Sequence, residues 1–103
     1  MTKNNMLNSE FELAKSHFLK GLEFFEKKKF IEAKTSFLLS LSIIPDREST
    51  LANLSVTLVK LQDYSEAEKF LYKLLSINSK NQETCLNLGI ALQENKQYEW
   101  AIA

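Results

Sequence analysis

Apolar residues in this chain recur at spacings of three and four, in paired runs separated by short polar breaks. Leu13, Phe18, Leu22 and Phe25 form the first run, and Phe30, Ala33, Phe37 and Leu41 the second. Such spacing puts the apolar side chains on one face of an α-helix. Ser9 and Glu12 have the spacing of a capping box, which predicts a first helix from about Ser9 to Lys28 and leaves residues 1–8 as a loose tail. The second helix should stop before Pro45, because proline disfavours helical geometry in the residue preceding it. Asp46 is then placed to cap a third helix lined by Leu51, Leu54, Leu58 and Leu61. A turn at Gln62 and Asp63 leads to a fourth carrying Tyr64, Ala67, Leu71, Leu74 and Leu75. After the polar break from Asn78 to Asn81, a fifth helix carries Cys85, Leu88, Ile90 and Leu92, and Tyr98 should open a sixth. No run alternates with the period of a strand, so the chain reads as all-α.

These helices repeat. Ala33, Ala67 and Ala101 stand 34 residues apart, and so do Phe30, Tyr64 and Tyr98; Gly21, Ser55 and Gly89; and Phe24, Leu58 and Leu92, without insertion or deletion. A repeat of that length made of two helices cannot bury its apolar face alone and has to stack on its neighbours. The first unit reads His17, Lys20, Gly21, Phe24, Ala33, Phe37 and Pro45. The second reads Leu51, Leu54, Ser55, Leu58, Ala67 and Leu71, with Ser79 in the proline slot, and the third reads Cys85, Leu88, Gly89, Leu92 and Ala101. In these positions the chain resembles the tetratricopeptide repeat family, with His17 and Lys20 as departures in the first unit. The resemblance implies a right-handed superhelical stack of antiparallel hairpins, an α-solenoid of about two and a half repeats. The repeat domain would cover 9–103, with units at about 14–47, 48–81 and a truncated 82–103.

Small side chains at Gly21, Ser55 and Gly89 on one helix, and at Ala33, Ala67 and Ala101 on the next, let paired backbones come within about 8 Å. Phe24, Leu58 and Leu92, with Phe37 and Leu71, should fill the seam between hairpins.

Composition narrows the function. In 103 residues, 45% hydrophobic, there is material for one domain with an ordered core. Thirteen basic residues balance thirteen acidic ones, so no long-range field draws the chain to nucleic acid or to an anionic membrane. Met1 to Leu7 lacks the apolar stretch of a secretory signal, and the run from Phe37 to Ile44 is too short to span a bilayer. His17 and Cys85 are the single histidine and cysteine, and occupy equivalent slots of the first and third units. They can be read as a metal or nucleophilic pair, or as residues filling the space that Leu51 fills in the second unit. One histidine and one cysteine do not supply the three or four ligands of a zinc site, which favours packing. Neither a glycine-rich phosphate loop nor a Ser/His/Asp set is visible, so no enzyme, cofactor or metal is expected. A lone cysteine excludes an internal disulfide and fits a reducing, cytoplasmic setting. Lys27, Lys28 and Lys29 can grip an acidic partner or simply solvate the turn they fall in; Trp100 can be a contact residue or can pack on chain beyond it.

The family resemblance implies where a ligand would bind. In tetratricopeptide proteins the first helices of successive hairpins line a concave groove, which here means Lys15, Phe18, Leu22, Phe25 and Glu26; Ser49, Ala52, Asn53, Val56, Val59 and Lys60; and Glu83, Leu86, Asn87, Ile90 and Glu94. Its middle is apolar and its rim charged, the character of a surface for an amphipathic helix or short peptide. Some family members clamp the terminal carboxylate of chaperone tails with basic residues and asparagine. Asn53 matches one of these, but Phe18 and Leu22 occupy the clamp places of the first unit, and Glu83 and Asn87 those of the third. No such clamp is expected. The third unit stops at Ala103, which suggests the front of a longer chain, or an end covered by self-association. Two functions stand: a non-enzymatic module binding a peptide or helix of another protein, with self-association through the groove or the cut end as a further use; or an N-terminal scaffolding domain of a larger enzyme, such as the repeat-bearing glycosyltransferases and methyltransferases.

Overall fold

The structure, a computed structural model, describes the backbone of residues 2–102 and the side chains of residues 8–96. Its elements are α1 (Thr2–Glu26), α2 (Phe30–Ile43), α3 (Glu48–Lys60), α4 (Tyr64–Ile77) and α5 (Gln82–Ile102), with no strand among the described residues. Consecutive helices pack in order, and α3 also touches α1 and α5, so the first helices of the units form one layer and α2 and α4 the other.

Each first helix has three working faces, and the 34-residue period shows what each does. One face packs on its own hairpin partner: Leu51, Ser55 and Leu58 of α3 are all at most 1% exposed against α4. A second packs back on the preceding hairpin. Thr50, Leu54 and Thr57 are buried this way, as are Thr84, Leu88 and Ala91 of α5. The same face of α1 carries Ser16, Lys20 and Glu23, which are polar and solvent-exposed. Lys20 departs from the leucine of the other units because its face of α1 meets water rather than an apolar neighbour. The third face lines the groove described below.

The core joins Ala33 and Phe37 of α2, Leu51, Leu54 and Leu58 of α3, Ala67, Leu71 and Leu74 of α4, and Leu88 and Ala91 of α5. Phe24 and Leu92 pack against it half-buried. Gly21 marks a close crossing of α1 and α2: a methyl group there would lie 2.4 Å from the nearest carbon of the fully buried Phe37 ring. Ser40 ties the same pair of helices by donating its hydroxyl to the Ala14 carbonyl at 2.8 Å.

Helix ends account for most departures from the sequence pattern. α1 begins at Thr2, so its backbone runs through the expected tail, and Ser9 and Glu12 are helix-interior rather than a capping box. The side chains before Asn8 lie outside the described residues. Asp46 does not cap α3: it adopts a positive φ of 66° and pairs with Lys73, while Arg47 takes the cap position without a side-chain hydrogen bond. Asn81 does cap α5, accepting from the Thr84 N–H at 3.1 Å.

α1 and α3 stop in the same way. Lys29 N–H reaches the Phe24 carbonyl and Asp63 N–H the Leu58 carbonyl, with Lys28 and Gln62 at φ of 59° and 62°. These are Schellman motifs built without glycine, and the left-handed residue costs about 1–2 kcal/mol. Packing of the following helix offsets that cost. At the equivalent Lys96 no turn forms, and α5 continues to Ile102, so Tyr98 does not open a sixth helix. Continuing the helix satisfies each backbone group locally without the cost of a left-handed residue. Two positions change character as a result. Gly89 has no atom within 4 Å of a built Cβ, and Cys85 is exposed where Leu51 is buried, so neither fills the space its repeat position suggests. Ala101 and Trp100 lie outside the described side chains.

Candidate groove on the first helices

The third face of α1, α3 and α5 carries the groove residues at equivalent repeat positions. Across the three helices they form rows: Phe18, Ala52 and Leu86, then Leu22, Val56 and Ile90, flanked by Lys15, Ser49 and Glu83 at one rim and Glu26, Lys60 and Glu94 at the other. Contact of α3 with both neighbours makes these rows continuous.

The apolar character of the groove is unevenly available. Phe18, Leu22, Phe25, Ala52 and Val59 are half-buried and pack against the core, so they serve the fold as well as the surface. Val56 is half-buried too. On α5, by contrast, Leu86 is 65% and Ile90 40% exposed. Most of the open apolar surface of the groove therefore sits on its third helix. Between α3 and α5 a notch opens with Ala52, Val56, Leu71 and Leu74 at its floor and Glu83 and Asn87 among its walls.

Two aromatic arrangements stiffen the first helix. Phe25 meets Phe30 edge-on at 5.2 Å between centroids. Arg47, reached only after the second helix, lays its guanidinium 5.4 Å from the Phe18 ring centroid and 5.5 Å from that of Phe11. Its Nη1 is buried without a hydrogen-bond partner among the described residues, so ring faces supply much of what solvates the cation. Nothing in the sequence spacing signals this residue, which lies 29 positions from Phe18 in a loop.

The polar positions divide into committed and open groups. Asn53, the one position matching a carboxylate clamp, donates one of its two amide N–H groups to the Ser49 carbonyl of its own helix at 2.8 Å. Lys15, Lys60, Glu83 and Glu94 make no ion pair among the described residues. Lys27 spends its charge on Glu23 one turn back, leaving the basic run at the α1–α2 turn partly neutralised. His17 is half-buried on α1 and Cys85 exposed on α5, in separate hairpins, and no group of three or more potential metal ligands occurs among the described residues. No described helix is long and apolar enough to cross a membrane.

Stacked two-helix units of fixed length, small residues at the close crossings and a layer of first helices open to solvent define a helical-repeat protein. The chain matches the tetratricopeptide repeat over residues 14–47 and 49–81, and it belongs to that family. Among curated proteins it is 31% identical over 91 residues to the BBSome complex member BBS4 homolog of Drosophila melanogaster, covering 88% of this chain and 19% of that protein. The chain thus spans about a fifth of that relative's length. Among solved structures, an Arabidopsis OM64 TPR domain superposes with a TM-score of 0.80 at 20% identity, covering 87% of this chain and 74% of the other. The first TPR of Spaghetti (RPAP3), bound to HSP90 peptide SRMEEVD, superposes with a TM-score of 0.77 at 18% identity, covering 86% and 71%. Identities this low carry the fold.

Proposed function

We propose that this chain is a non-enzymatic interaction module whose first-helix groove binds a peptide or amphipathic helix of another protein. The observation that carries the reading is the open apolar surface of Leu86 and Ile90 beside half-buried Ala52 and Val56, on a face bordered by charges that make no ion pair among the described residues. Surface of that kind gains free energy when an apolar side chain covers it, and the charged border orients what lands there. That a structurally similar domain is bound to a peptide supports the reading at the level of the fold. A chaperone-type acidic tail does not suit this groove, because Glu83 stands where a basic side chain would be needed and Phe18 and Leu22 fill the corresponding places of the first unit. A cytoplasmic setting goes with the proposal, on the ground of the single free cysteine. No observation favours the second reading, a scaffold for an attached transferase.

Selection of peptides displayed on phage against the chain tests the proposal. Binders should lose affinity at least tenfold with Val56→Asp or Leu86→Asp while the helical circular dichroism is unchanged. Binders indifferent to both changes would place recognition elsewhere and refute it.

A further inference from the structure

Charge at the rim differs from helix to helix. α1 has Lys15 at one rim position and Glu26 at the other, α3 has Ser49 and Lys60, and α5 has Glu83 and Glu94. Of the three equivalent helices only α5 is acidic at both ends. Glu83, Leu86, Asn87, Ile90 and Glu94 follow at helical spacing, so they share one face. The two carboxylates stand about 16 Å apart along the axis at 1.5 Å per residue and bracket the most exposed apolar residues of the groove. Neither carboxylate is paired among the described residues. Lys80 precedes α5 in the turn, and Lys96 lies two residues past Glu94, on the opposite side of the helix.

We infer that the groove's occupant is a cationic amphipathic helix that lies along α5, its apolar stripe on Leu86 and Ile90 and a Lys or Arg at each end of that stripe on Glu83 and Glu94. The inference rests on the groove reading above and adds the partner's chemistry. At the Glu83 end the half-buried Ala52 and Val56 of α3 strengthen the match. The methylene stem of a long basic side chain can rest on these two, with its charge at the Glu83 carboxylate. An acidic helix of the same shape would bring like charges together at both ends, and charge arrangement of this kind selects partners more than it adds affinity.

Two fluorescent helical peptides with the same leucine stripe test it, one flanked by lysine and one by glutamate, titrated against the whole chain by anisotropy at low salt. The lysine peptide should bind at least about fivefold more tightly, a difference set by two exposed charge pairs. E83Q/E94Q should remove the preference and E83K/E94K should invert it, with circular dichroism checking that each variant folds. In 1 M salt, where the screening length is about 3 Å, the preference should shrink. Equal binding of both peptides, or a preference that survives E83Q/E94Q, overturns the charge assignment. If those peptides are still lost on Val56→Asp, the groove reading stands without it. If neither peptide binds, both readings fall.

Discussion

Gly21 and Gly89 occupy the same position in two repeats, yet the structure assigns opposite consequences to the same substitution. In Gly21→Ala the new methyl group would lie 2.4, 2.6 and 2.8 Å from three ring carbons of Phe37, where ordinary contact starts near 3.4 Å. The ring therefore has to retreat by about 1 Å, judged from the shortest of these contacts. It has little room: Phe37 is 0% exposed, the Phe18 ring is 5.9 Å away between centroids, and the Ser40 to Ala14 hydrogen bond holds the two helices together. Overpacking of this kind costs about 1–3 kcal/mol. Against it stands the helix-propensity gain of alanine over glycine, about 0.8–1.0 kcal/mol. The net effect is a destabilisation of up to about 2 kcal/mol on those two figures. Gly89→Ala meets no atom within 4 Å and keeps the gain alone, so it should stabilise by up to about 1 kcal/mol. Urea unfolding followed at 222 nm reads both variants, and the difference between them isolates the packing term at about 1–3 kcal/mol. Equal shifts of the same sign would refute the reasoning. A destabilised Gly89→Ala would show in particular that a helix covers Gly89 in solution, and hence that the third hairpin closes.

Two further changes probe the stack. Ala67, 0% exposed on α4, should not accept leucine: Ala67→Leu overpacks the seam and lowers stability by about 1–3 kcal/mol, seen as a lower thermal midpoint. Asn81→Ala removes the acceptor for the Thr84 N–H and should cost about 0.5–2 kcal/mol. Urea midpoints compared with wild type check this, and an unchanged midpoint would mean that α5 needs no cap.

Much of the architecture was legible because it is written in a period. Pairs such as Ala33 and Ala67, or Phe37 and Leu71, recur in register because each hairpin buries the same face on the next, and all four residues are at most 1% exposed. The position of the first-helix groove was legible by the same token, through the family resemblance. How open each groove residue is was not legible. Phe18 and Leu86 are one row of the repeat, but Phe18 packs on the core under Arg47 while Leu86 is 65% exposed, a contrast created by neighbours distant in sequence.

Local chemistry and periodicity along the chain set the helices, the repeat length, the small residues at crossings and the charge of each rim position. Tertiary structure decided where helices end and what covers them. Lys28 and Gln62 take a left-handed turn without glycine because the next helix packs back and offsets its cost, and α5 runs straight through Lys96, where no further helix packs back among the described residues. For the same reason, Leu51 is core while Cys85, its repeat equivalent, faces solvent. Burial belongs to pairs of helices, and a side chain's own identity cannot say whether its partner is there.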